Sequence, residues 1–306
     1  MSHRQAVALM ICVTLMWSIA GIVTRHLDSA RGFEVTFWRS LFNALALLLM
    51  LVALQGPARL WRTLRRGGRP LWVSGLCWCV MYTAFMVAIM LTTVANVLVT
   101  MALAPLFTAL AARFALGHRL ALRTWAAIVV AGAGIGWMYG AELGGSDSRH
   151  LLGTAVALCV PIAAAVNWTL LQHLYRQTAT EPPPDMLAPV LLGALLSAAL
   201  TLPLSLPFGA SPHDLGLLAL LGVLQLAIPC LLAVRVTRVL SAPEVSLLGL
   251  LEVVFGVLWV WLGTDEAPSA SVLGGGLLVL AALAGNEALA LRRLTPVSGA
   301  SGISHR

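Results

Sequence analysis

Apolar positions in this chain fall into ten long runs separated by short polar loops. The first five are Ala6–Val23, Phe33–Leu54, Leu71–Leu91, Asn96–Phe114 and Ala121–Tyr139. The second five are Leu151–Tyr175, Met186–Phe208, Leu215–Val236, Val245–Leu262 and Val272–Leu291. About 20 consecutive apolar residues wound as a helix satisfy their own backbone and span roughly 30 Å of hydrocarbon. The pattern therefore predicts an all-α membrane protein with ten transmembrane helices, leaving little chain for a soluble domain. Between the third and fourth runs, Thr92, Thr93, Val94 and Ala95 must turn the chain. The first run is long and lacks a small-residue cleavage site, so it reads as a span rather than a removable leader.

Composition agrees with the pattern. Hydrophobic residues make up 59% of the chain and charged residues 10%, where soluble domains carry about 25% charged residues. The net charge of +7 does not imply nucleic acid, because the 19 basic residues, all arginine, are dispersed among the loops. Their distribution is a topology signal instead. Fifteen arginines fall on one side of the ten-span arrangement, including Arg59, Arg62, Arg65, Arg66 and Arg69 after the second span. Only Arg25, Arg31, Arg39 and Arg149 lie near the other. The positive-inside rule then places both termini in the cytoplasm. Cys12, Cys77, Cys79, Cys159 and Cys230 all lie within apolar runs, and are read as small packing residues rather than metal ligands or a disulfide framework.

A shift of 148 residues aligns the two halves weakly. Leu103-Ala104-Pro105-Leu106-Phe107 falls on Leu251-Glu252-Val253-Val254-Phe255, and Ala126 on Gly274. Five spans is an odd number, so the second half must enter the membrane with opposite polarity. The division expected is a first five-helix repeat over residues 1–145, an inverted second repeat over 146–293 and a flexible cytoplasmic tail over 294–306. Two related halves of opposite orientation can open one central site to each side in turn.

Several short motifs now combine in order. They are Trp17-Ser18-Ile19-Ala20-Gly21, Phe37-Trp38-Arg39, Ala104-Pro105-Leu106-Phe107, Leu251-Glu252-Val253-Val254-Phe255, Gly263-Thr264-Asp265-Glu266 and Gly274-Gly275-Gly276. With these, residues 5 to 292 resemble the EamA family of the drug/metabolite transporter superfamily, whose members have five-plus-five spans. Gly117-His118 stands where the family often has Gly-Glu. The resemblance implies transport of a small organic metabolite or drug across a bacterial inner membrane. Transport is usually outward, and protons are a common coupling ion. An importer or passive exchanger on the same scaffold is the alternative.

Glu252 is the sharpest single candidate for the chemistry. A carboxylate at mid-bilayer depth costs at least a few kcal/mol unless it is paired, protonated or wetted. Such a group suits proton coupling or capture of a substrate ammonium, with a structural partner for an arginine as the competing reading. Arg39, two turns inside the second span, could hold a substrate carboxylate, gate with Glu34 or Glu252, or snorkel outward. Trp17, Trp78, Tyr82 and Trp168 could stack on a planar ligand or cover a cation, or simply pack. Trp78 and Tyr82 share a helix face. Asn167 could line the site or join helices. Pro105, Pro161 and Pro229 lie within spans and invite kinks or hinges. Gly132 and Gly136 form a G-x-x-x-G pattern suited to close packing within the chain or in a homodimer. No nucleophile motif, metal-ligand spacing or phosphate loop is present, so neither an enzyme nor a cofactor protein is expected. The expected partners are a small-molecule substrate, the lipid bilayer and coupling protons.

Overall fold

A computed structural model of the chain describes residues 1–116, 148–177, 185–263 and 269–292, together with 122, 126, 127, 129, 130, 133, 134 and 137. Among them every regular element is helical. The first span divides into α1 (His3–Ser18) and α2 (Ala20–Arg25), and α3 (Phe33–Gln55) forms the second. A short helix, α4 (Pro57–Arg66), precedes α5 (Arg69–Leu91), the third span. The fourth divides into α6 (Val94–Met101) and α7 (Ala104–Leu116). In the second half, α8 (Ser148–Gln177) and α9 (Ala188–Thr201) form the sixth and seventh. The eighth runs through α10 (Pro212–Leu220), a wider-wound π segment (Leu221–Ala227) and α11 (Ile228–Val236). It is followed by α12 (Ala242–Gly263) and α13 (Ala270–Arg292).

Seven helices among the described residues have the length and apolar composition to cross a membrane. They fall on the first, second, third, fourth, sixth, eighth and ninth predicted runs. Shorter apolar helices, Ala188–Leu204 and Leu273–Ala282, occupy the seventh and tenth. The fifth run lies largely outside the described residues, as do Gly117-His118, Gly132, Gly136, Asp265, Glu266 and the 294–306 tail. The seventh run is shorter as a helix than as a hydrophobic pattern. It tightens into a 3-10 turn at Leu202–Leu204, because Pro203 and Pro207 withhold backbone donors there.

The helix breaks are local events with local causes. The turn is confined to Thr92-Thr93, two residues shorter than expected, because the Thr93 hydroxyl accepts from the Asn96 backbone N–H and caps α6 from Val94. The break between α6 and α7 falls just before Pro105, which has no N–H to offer the carbonyl four residues earlier. Pro161, by contrast, sits inside an uninterrupted α8. Pro229 is the second residue of α11, and the irregularity precedes it in the π segment. The first span breaks at Ile19 without any proline. There the Ser18 hydroxyl donates to the Leu15 carbonyl at 2.7 Å, a back-bond that bends helices.

Helices of the two halves interleave. The third-span helix α5 packs along α8 and α9, and α9 also packs on α3. α1 packs on α11 and α12, and α6 and α7 pack on α8 and α12. Glycines permit the closest approaches. A β-carbon on Gly193 would lie 2.3 Å from Trp78 Cβ, and one on Gly222 would lie 2.8 Å from the Arg39 carbonyl. Large apolar side chains such as Leu49, Leu76 and Leu200 remain exposed on the outside, as a surface solvated by lipid requires.

The 26–32 end of the bundle is clamped by two buried carboxylates. Asp214 accepts from the backbone N–H groups of Asp28 at 2.7 Å, Ser29 at 2.9 Å and Ala30 at 2.8 Å, and from the Ser29 hydroxyl at 2.7 Å. Glu34 accepts from Gly209 and Ala210 N–H, both at 2.9 Å, and from Trp38 Nε1 at 3.3 Å. Loop 26–32 and the loop before α10 are thereby held as one unit.

Candidate functional site

A cavity of about 120 Å³ lies where α1, α3, α5, α6, α7, α8, α12 and the eighth span converge. Its position follows from the breaks just described. The bend before Pro105 puts Met101 and Ala104 on its wall, and the break at Ile19 leaves Trp17 beside it. The π segment turns Gln225 inward. Wide-wound segments of this kind recur at functional sites because they redirect single side chains.

Arg39 is the dominant charge on the wall. The residue is 1% exposed. Gln225 Oε1 accepts from Arg39 Nη2 at 2.9 Å and from Nε at 3.3 Å, and the Tyr82 carbonyl accepts from Nη1 at 3.4 Å. The guanidinium also stands over the Phe85 ring, 5.5 Å from its centroid. Gln225 is itself fixed by donating Nε2 to the Trp17 carbonyl at 3.2 Å. One network thus joins spans one, two, three and eight, and among the described residues no carboxylate takes part in it. A guanidinium has five N–H donors, and three bonds leave two for a further acceptor.

Glu252 faces the same cavity from α12, 8% exposed. Among the described residues it has no hydrogen bond and no ion pair, and it shares the cavity with Arg39. The anticipated gate between Arg39 and Glu34 is not formed, since Glu34 is occupied at the 209–210 loop. Outward snorkelling is excluded for Arg39 by its inward bonding.

The aromatic wall is continuous. Trp78 and Tyr82 rings lie 5.6 Å apart at 31°, and Trp168 meets Trp78 edge-on at 5.6 Å and 85°. Trp78 Nε1 is buried without an acceptor, an N–H that a ligand oxygen would satisfy. The structure therefore brings Glu252, Arg39, Trp17, Trp78, Tyr82 and Trp168 to one cavity. It leaves Asn167 out. That side chain is fully buried behind the wall, where Oδ1 accepts from the Ser74 hydroxyl at 2.6 Å and ties α8 to α5.

Sequence reasoning passed over Gln225, Ser246 and Cys230. All three line the cavity. Gln225 had a signal, being an amide in the middle of an apolar run. Ser246 had none, since a serine bonds readily within its own helix; here it meets Thr108 across α7 and α12 at 2.9 Å.

The chemistry available is that of recognition. Among the described residues, a buried cation with spare donors and a buried carboxylate without a partner face one small, aromatic-walled space, and no nucleophile is paired with a base there. Among the described residues, Asp28, His213 and Asp214 gather at the far end of the bundle. Asp214 is already saturated by backbone donors.

Comparisons with known proteins fit this arrangement. The EamA-like transporter family model matches residues 4–140. A solved protein crystal structure superposes with a TM-score of 0.64 at 21% identity, covering 96% of this chain and 100% of that one. Likeness at that identity speaks to the fold. No curated protein sequence matches the chain. Its apolar helices mark the chain as a multi-pass membrane protein, and over residues 4–140 it is similar to the EamA-like transporter family, within the drug/metabolite transporter superfamily.

Proposed function

We propose that the protein is a secondary active exporter of a small dipolar metabolite, coupled to protons and working by alternating access from the bacterial inner membrane. The observation that carries the reading is the pair of unneutralised groups, Arg39 and Glu252, on one buried cavity. Arg39, with Trp78 Nε1, suits a carboxylate or comparable anionic end. Glu252 suits an ammonium, and the aromatic wall suits the body between them. A cavity of about 120 Å³ is smaller than the roughly 300–1,000 Å³ of drug-sized pockets. That size favours an amino acid-like metabolite over a drug.

Coupling follows from the cost of charge. A lone carboxylate in a low-dielectric site is penalised, whereas a protonated or ammonium-paired one is not. The site therefore changes face when Glu252 holds either a proton or the substrate amine. Substrate arriving from inside displaces the proton to the cytoplasm; a proton arriving from outside displaces the substrate outward.

Helix packing supports two inverted five-span repeats as the moving parts. Under exchange of the halves, the third–sixth contact maps onto eighth–first, second–eighth onto seventh–third, and first–ninth onto sixth–fourth. The second–seventh and fourth–ninth contacts map onto themselves, and every one of these contacts is made.

The test compares metabolites released by cells overproducing the protein with those released by cells producing Glu252→Gln at equal membrane levels. A zwitterionic compound enriched by the parent alone supports the proposal. Equal enrichment by both removes Glu252 from the mechanism. Depletion from the medium by the parent turns the reading to the importer or exchanger alternative.

A further inference from the structure

The short helix α4 has no part in the cavity, yet it is strongly two-faced. At about 100° per residue, Leu60, Leu64 and Trp61 share one side, while Arg59, Arg62, Arg65 and Arg66 share the other within roughly 120°. Leu60 is 3% exposed and anchors the helix on the bundle, and all four arginines are exposed. Among the described residues none has an acidic partner. Arg62 Nε donates to the Ala58 carbonyl, and the Arg65 guanidinium lies 5.6 Å over the Trp61 ring. The sequence explains the lack of counter-charge, because no Asp or Glu occurs between Glu34 and Glu142.

The neighbouring surface identifies the occupant. Trp61 is 60% exposed, and Leu54, Trp72 and Leu76 on the flanking spans are 56%, 50% and 55% exposed. The basic row therefore sits between two spans that expose apolar side chains of the kind that face lipid. An acidic soluble partner would have no use for that apolar continuation. A phospholipid has an anionic head for the arginines and chains for Leu54 and Leu76, and indole rings favour the boundary between the two.

We propose that α4 is a binding surface for anionic phospholipid, holding headgroups on its arginine face. It joins α3, which carries Arg39, to α5, which carries Tyr82, so bound lipid fixes the spacing of two cavity walls. Lipid bound there would hold this spacing whatever the substrate and direction of transport.

The experiment is native mass spectrometry of the purified full-length protein with phosphatidylglycerol or phosphatidylcholine, at low and high ammonium acetate. Each basic residue beside an anionic surface favours association by about fivefold. The parent should therefore prefer phosphatidylglycerol at least fivefold, and the preference should shrink with salt. The combined R59Q/R62Q/R65Q/R66Q variant should lose it, and the corresponding all-lysine variant should keep it. A parent without headgroup preference, a preference unmoved by salt, or a glutamine variant that keeps the preference would each overturn the proposal. The parent's salt response decides the matter even where the glutamine variant fails to fold.

Discussion

Replacing Asp214 by Asn should unfasten the 26–32 end of the bundle by a calculable amount. One carboxylate oxygen accepts from Asp28 N–H; the other accepts from Ser29 N–H, the Ser29 hydroxyl, Ala30 N–H and Ser211 N–H. An asparagine keeps most of these by placing its carbonyl among the larger group. Its amino group must then face the Asp28 N–H, donor against donor. An orphaned buried donor costs about 1–3 kcal/mol, and the remaining bonds fall from charged to neutral strength. Partial exposure of Asp28 keeps the total near 3 kcal/mol. That is a factor of about 100 in the opening equilibrium of the loop. Amide hydrogen exchange read by mass spectrometry on residues 26–32 should quicken by about that factor. At roughly 2 °C per kcal/mol for a chain of this size, Tm should fall by about 6 °C. Unchanged exchange over 28–30 would show that the carboxylate contributes little to holding the loop, and would refute the clamp.

Four further outcomes follow, three from the geometry and one from the arginine asymmetry. Gly193→Ala should lower thermal stability by about 1–3 kcal/mol, since the new methyl meets Trp78 Cβ and the Cys79 backbone nitrogen. Gly249→Leu starts from open space beside the cavity, so it should spare Tm while abolishing transport; an active variant would separate this cavity from the route. Gln225→Leu strips Arg39 of two bonds worth about 1.5–3 kcal/mol each and should destabilise. Gln225→Glu should restore stability yet neutralise Arg39 and abolish export, and export retained by Gln225→Glu would contradict the anionic-end assignment. Reporter fusions should find both termini cytoplasmic, and an external terminus would overturn the arginine asymmetry.

Much of this protein was legible in its sequence because a membrane allows few solutions. The apolar runs determined the helices, since an unpaired backbone group is untenable in hydrocarbon. Glu252 stood out because a carboxylate in the run around it needs a reason. The Ile19 break was not legible, because it depends on a serine back-bond, a choice made by packing. The helical character of α4 also went unread, although its arginines were counted, since ten residues without hydrophobic length resemble a loop. Asn167 shows the converse. Its polarity marked it as a candidate equal to Trp168, but adjacent residues on a helix point about 100° apart. One faces the cavity and the other faces Ser74.

The sequence by itself determined the solvent, the helical class and the presence of charges too deep to be incidental. Those follow from local hydrophobicity, which needs no neighbour to act. Only the tertiary structure decided that Arg39 turns inward to Gln225 instead of pairing with Glu34, and that it meets Glu252 across one cavity. Those residues lie 186 and 213 positions from Arg39 along the chain. Their meeting depends on which helices pack together, and that is settled by glycine contacts and helix breaks acting over the whole bundle.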